Sequence, residues 1–195
     1  ALKRRPLITD SLSMAQAQRL QALLDLSRAL SSSLDLREVL REFATRAAQL
    51  TGATAAELST YDPARGELVM LVEYREGRDE ITATGGQVYQ LADFPATRQV
   101  LDTQAPVQVR IENPGDDPAE RALLERQGQK SLLMLPLVTR GETIGLMEIV
   151  DVHDRVWDEA DVDFCRALCD IVAIAIRNAR LFSELQETAA RDTLT

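Results

Sequence analysis

The sequence predicts an α+β fold: a roughly six-stranded antiparallel sheet, with the terminal helices on one face and shorter helices and loops on the other. Three observations predict it. The apolar period changes from helical to strand-like at Ala53, two strand pairs fold back about short glycine-bearing turns, and the last helical stretch is apolar on more than one stripe. A length of 195 residues suits about one domain carrying helical extensions. Residues 1–12 read as a flexible tail, 13–184 as the domain, and 185–195 as a linker helix entering a further segment.

The first helix starts near Ser13, with Gln16 three residues on, and Leu20, Leu23, Leu24, Ser27 and Leu30 mark one face. Ser31–Ser33 end it. Asp35 and Glu38 form the next capping pair, Leu34 and Val39 a hydrophobic staple, and Gly52 the C-terminal stop. Strands over Ala53–Tyr61 and Glu67–Tyr74 flank the turn Asp62-Pro63-Ala64-Arg65-Gly66. A polar loop, Gly77–Gly86, leads to a short strand at Gln87–Leu91 and a helix at Pro95–Asp102. A strand at Pro106–Ile111 and the loop Asn113–Asp116 follow. Asp117, Pro118 and Glu120 then fit the N-cap, N1 and N3 of a helix that Gly128 ends. Leu132–Val138 and Glu142–Val152 form a second hairpin about Thr139-Arg140-Gly141, and both of its strands read as central. Asp158, with Asp161 at N3 and Trp157 stapled to Val162, starts the last helix.

That last helix meets no Pro or Gly before Thr195, and about 30 such residues span some 45–50 Å at helical rise, so its C-terminal half must project. Its apolar residues include Leu168, Val172, Ile176, Ala179, Phe182 and Leu185, which read as a seam for a second copy of the chain, one flank packing on the sheet and the other on the first helix or that copy.

Composition narrows the function classes. A net charge of −9 opposes a nucleic-acid face or contact with an anionic membrane. The longest apolar run, Ile171–Ile176, is far short of the roughly 20 residues of a membrane span, and no signal-peptide pattern opens the chain, which gives it cytoplasmic character. Two cysteines make no disulfide framework, and one histidine opposes a histidine-based metal site.

The run Ser131-Leu132-Leu133-Met134-Leu135-Pro136-Leu137-Val138, the turn Arg140-Gly141-Glu142, Ile144-Gly145-Leu146-Met147-Glu148-Ile149, and the stretch from Trp157-Asp158-Glu159 to Ala173-Ile174-Ala175-Ile176-Arg177-Asn178-Ala179-Arg180-Leu181 resemble a GAF domain from about Gln21 to Glu184. The closing Arg191-Asp192-Thr193-Leu194-Thr195 resembles the opening of a GGDEF (diguanylate cyclase) domain. The resemblance implies a small-ligand pocket between the sheet and its covering loops. It also implies a homodimer through the N- and C-terminal helices, and signalling along the last helix to the output domain. The cyclase signature itself would lie beyond Thr195, so this stretch is expected to be no enzyme. A ligand-free dimerisation and transmission spacer is the alternative, and an enzyme of unrecognised pocket chemistry is the rival from a different class.

Searches for other chemistry return little. Gly128-Gln129-Lys130-Ser131 lacks the Gly before Lys of a phosphate loop and enters a strand, and no G-x-S-x-G elbow occurs. Cys165 and Cys169 share a helix face and read as small buried residues. His153 reads as an exposed loop residue. Neither a covalent bilin nor haem nor a metal is expected, and the cyclic-nucleotide pattern of some GAF domains is not recognisable. Strand alternation puts Ile144, Leu146, Glu148 and Val150 on one face, so Glu148 either meets a ligand donor or Arg98 in the pocket or sits solvated at a sheet edge. Tyr74, Tyr89, Phe94 and Arg98 are the other pocket candidates, with plain packing of the rings as the alternative.

Overall fold

The computed structural model describes residues 17–28, 36–77 and 86–192. The tail 1–12, the Ser13 cap, Leu30, the Ser31–Ser33 stop, Leu34, the Asp35 cap, most of the Gly77–Gly86 loop and Thr193–Thr195 lie outside the described residues. In chain order the elements are α1 (17–28), α2 (Leu36–Thr51), β1 (Ala55–Asp62), β2 (Glu67–Arg75), β3 (Val88–Gln90), a 3₁₀ turn (Leu91–Asp93) and α3 (Pro95–Thr103). Then follow β4 (Val107–Arg110), α4 (Pro118–Gln127), β5 (Ser131–Thr139), β6 (Glu142–Asp151) and α5 (Glu159–Asp192). The sheet order is β3-β2-β1-β6-β5-β4, antiparallel throughout. This is the α+β architecture that the sequence predicts.

Local chemistry sets the turns. Asp62 accepts from the backbone N–H groups of Ala64 and Arg65 at 3.0 and 3.2 Å, closing the β1–β2 turn. In the β5–β6 turn Arg140 and Gly141 both have positive φ, 52° and 80°, as a two-residue turn matched to the strand twist requires. Asp117 caps α4 by accepting from Ala119 and Glu120, and Asp158 accepts from Asp161 N at 2.8 Å at the start of α5. Pro136 falls past the last β4–β5 pairing at Met134, on a stretch of β5 with one open edge, where a missing N–H breaks no ladder bond.

Alternation then divides the core. Leu133, Leu135, Leu137, Met147 and Ile149 face α2 and α5, where they meet Phe43, Leu168, Val172 and Ile176. Leu132, Met134, Leu146 and Val150 point the other way, toward Leu91, Val100, Leu101 and Leu124 of the covering turn and helices. Ile144 does not follow them. A bulge lets Thr143 pair with Val138 and Gly145 with Leu137, which leaves Ile144 out of phase and turns it toward the α2–α5 side.

The structure corrects the reading of α5. Leu168, Val172 and Ile176 are buried against the sheet of their own chain and are not free to form a seam with a second copy. Only the backbone is described at Ala179, Phe182 and Leu185. Among the described side chains of α5, the exposed large apolar residues are Ile174, 57% exposed, and Leu181. On α1, Leu26 is buried and Leu23 partly so, whereas Leu20 and Leu24, expected on the same face as Leu23, are exposed. Arg19 fixes α1 to α5, pairing with Asp161 and lying 5.1 Å over the Phe164 ring.

Gly145 pairs with both Thr60 and Leu137. A Cβ there would overlap the Ser59 carbonyl oxygen and stand 3.1 Å from Leu137 Cδ1. Gly145→Ala should therefore cost about 2–3 kcal/mol in urea unfolding. Arg140→Asn, which relieves a side chain held at positive φ, should stabilise the fold by about 0.5–1 kcal/mol in the same measurement.

Candidate functional site

A cavity of about 40 Å³, enough for about three water molecules, lies between the sheet and the covering helices. Its floor is Glu57 of β1, Leu68 of β2, Leu132 of β5, and Glu148 and Val150 of β6. Tyr89, Leu91 and Phe94 form one wall, and Thr97 of α3 with Glu120, Leu123, Leu124 and Gln127 of α4 form the roof, together with Gln129. Tyr89 and Phe94 meet edge to face, ring centroids 6.1 Å apart.

Of the residues that the sequence singled out, Tyr89, Phe94 and Glu148 come together here. Tyr74 and Arg98 do not. Tyr74 packs on the opposite side of the sheet with the α2–α5 core, because its place on β2 alternates away from the cavity. Arg98 lies on the solvent face of α3, 3.8 Å from Asp102 one helical turn on, and so has no access to Glu148.

The structure adds two carboxylates that sequence reasoning missed. Glu57 is only 7% exposed and lies directly opposite Glu148 in the β1–β6 pairing. Glu120, read from sequence only as an N3 residue, is 1% exposed and accepts from the Thr97 hydroxyl, tying α4 to α3. Glu57 carried a readable signal: in Ala55-Ala56-Glu57-Leu58 it is a charge inside an apolar strand, as Glu148 is in β6.

Among the described residues, one cation, Arg75, stands near the site, and it is already occupied. Arg75 donates from Nε to Glu73 at 2.8 Å and stands 3.6 Å from Glu57. With its amide oxygen turned toward the guanidinium, Gln129 accepts from Arg75 at 2.8 and 3.1 Å. Burial, and then the Glu73 charge, push the Glu57 carboxyl up to about 7 against the opposing pull of Arg75. Burial, and then Glu57 and Glu120, hold Glu148 well above the usual carboxylate range. Glu120 is raised by burial despite its bond to Thr97, and Tyr89 is raised by burial and then by the carboxylates of Glu57, Glu148 and Glu73. No group of three or more metal-ligating side chains occurs among the described residues.

Elsewhere, Cys165 and Cys169 are buried, and burial raises both thiols, which opposes thiolate chemistry. His153 is an exposed loop residue with Nδ1 2.9 Å from Asp151. No helix among the described residues is long and apolar enough to cross a membrane.

Residues 35–176 match the family model of the GAF domain. The chain belongs to the GAF family. A curated relative, the circadian input-output histidine kinase CikA of Thermosynechococcus vestitus, is 26% identical over 195 residues, covering 95% of this chain and 26% of that protein. The chain therefore spans about a quarter of the length of this relative. The phycoerythrobilin-bound GAF domain of a cyanobacterial phytochrome superposes with a TM-score of 0.71 at 16% identity, over 85% of this chain and 97% of that one. The GAF domain of a phosphoenolpyruvate-protein phosphotransferase from Coxiella burnetii does so with a TM-score of 0.71 at 21% identity, over 85% and 96%. At those identities the two structures speak for the fold alone. The chain is thus a GAF domain whose fold is shared with the GAF domains of a cyanobacterial phytochrome and a phosphotransferase.

The cavity carboxylates give this GAF domain a defined pH dependence. Glu57, Glu148 and Glu120 bind protons more tightly folded than unfolded, so between about 4.5 and 7 the native state holds the extra protons and stability falls as pH rises. Facing them are Glu73 and Arg75 of β2, Tyr89 of β3 and Thr97 of α3. The thermal midpoint followed by circular dichroism should drop by on the order of 5 °C from pH 5 to pH 7.5. Glu148→Gln should flatten that drop and raise the midpoint at pH 7.5.

Proposed function

We propose that this GAF domain is the input module of a longer signalling protein. A small molecule entering the cavity shifts the α3–α4 cover and the sheet, and α5 carries the change to an output domain. The cavity carries this reading: it lies within the family fold, on the sheet face opposite α5, under two helices linked by the Thr97–Glu120 bond. The 34 residues of α5 make a rod about 50 Å long, whose buried core residues run from Phe164 to Ile176 among the described side chains. A ligand acts on such a rod by preferring one of two packings.

The resemblance of Arg191–Thr195 to a GGDEF opening supports a diguanylate cyclase as the output. The histidine-kinase relative favours a second output, a histidine kinase. The full-length protein distinguishes them, by cyclic dinucleotide formed from GTP or by phosphate transferred from ATP to its own histidine.

Two copies would assemble side by side through α1 and α5, joined by the outward residues Leu20 and Leu24 of α1 and Ile174 and Leu181 of α5. Apolar side chains this exposed on paired helices support a covering partner. In light scattering, Ile174→Asp and Leu181→Asp together should shift a dimer to monomer with the melting temperature nearly unchanged, whereas Ile176→Asp should unfold the chain by burying a charge. A dimer unaffected by the double substitution would remove this assembly.

For sensing, a thermal-shift screen of the 195-residue chain against small metabolites of every charge should yield at least one saturable stabiliser. None across the panel would leave a ligand-free dimerisation spacer.

A further inference from the structure

We propose that the cavity takes a small organic cation with forked N–H donors, an amidinium or guanidinium, bound between Glu57 and Glu148. The inference rests on the sensor reading and specifies its ligand. Among the described residues, the lining contains three carboxylates and no Lys, Arg or His. Two of the three already have partners. Glu120 accepts from Thr97, and Glu57 has Arg75 at 3.6 Å, a guanidinium shared with Glu73 and Gln129. Glu148 has none: no hydrogen bond or ion pair engages it among the described residues, although it sits on an interior strand of the sheet and borders the cavity.

A strand pairing that sets two carboxylates directly opposite is unfavourable by itself, with their Cβ atoms about 5 Å apart. Hydrophobic residues would build the same floor at less cost. A planar cation between the two carboxylates removes that repulsion and gives Glu148 the donors it lacks, in the bidentate geometry that carboxylates favour. Tyr89 and Phe94 on the wall supply ring surface against which such a plane can lie. The volume admits a head group of a few heavy atoms. Among the described residues, an anion would meet three carboxyl groups and no cation free of carboxylate partners. Burial raises both carboxyls, so the empty site binds protons more readily than free carboxylates do, and the cation's arrival displaces protons to solvent.

Three molecules of one shape test this: acetamidinium, acetamide and acetate, titrated calorimetrically into the 195-residue chain at pH 7 in two buffers of different ionisation enthalpy. Saturable binding of acetamidinium alone, with a proton released and affinity weakened by about tenfold or more in Glu148→Gln, is expected. Glu57→Gln provides a second variant with the same expected direction. Binding of acetamide or acetate but not acetamidinium would overturn the cation and leave the sensor standing. Acetamidinium binding with equal affinity to both variants would overturn the site. Silence from all three, while the metabolite screen finds another stabiliser, would overturn the cation alone; silence in both would take the sensor with it.

Discussion

The pairing of β1 with β6 holds this GAF domain together. Each half of the sheet is a local hairpin, β1–β2 extended by β3 and β5–β6 extended by β4, and the seam between them joins Ala55–Thr60 to Gly145–Val150 across some ninety residues of chain. Closing so distant a contact is entropically slow and unfavourable until the apolar faces on both sides are buried. At the seam Gly145 lets the backbone of Ser59 approach closely. Its register sets Glu57 opposite Glu148, so the interaction that completes the fold also creates the polar floor of the cavity.

The sheet therefore has two unlike faces. Toward α2 and α5 it presents an apolar core, with Phe43, Leu133, Leu135, Met147 and Leu168 fully buried. Toward α3 and α4 it leaves a small space with carboxylates at its base. The cover is fastened at points around that space: Thr97 to Glu120 between the two helices, and Gln104 to Gly141 and Thr143 from the end of α3 to the β5–β6 turn. A cover held by a few polar ties over a partly polar floor is the kind of element that has more than one packing within reach.

Much of the fold was legible because its signals are local. Asp117, Asp158 and the glycines of the two hairpin turns act within a few residues of themselves, and the elements that they bound fall within about two residues of the expected limits. What the sequence did not contain locally it did not reveal. Ile144 left its expected face because of a bulge opposite Val138, a feature of pairing and not of period. The abundance of apolar residues on α5 did not reveal which stripe met the sheet, and Leu168, Val172 and Ile176 proved to be the inner one. In the cavity, Glu148 was visible as a charge among apolar neighbours, and Glu57 offered the same mark. Glu120 looked like an ordinary first-turn acid until α3 packed over it. Tyr74 and Arg98 were grouped with the cavity by nearness in sequence, which strand alternation and helix face then overrode.

Trp157 is the sole tryptophan of the chain, buried at the entrance to α5. Gln108 of β4 grips it through both backbone groups, at 2.9 and 3.0 Å, and its indole N–H has no hydrogen-bond partner. One chromophore thus sits where the edge of the sheet hands over to the long helix, in surroundings whose polarity governs its emission. The domain carries its own optical gauge at that junction, and light from a single indole reports on the passage between sheet and rod without any label being attached.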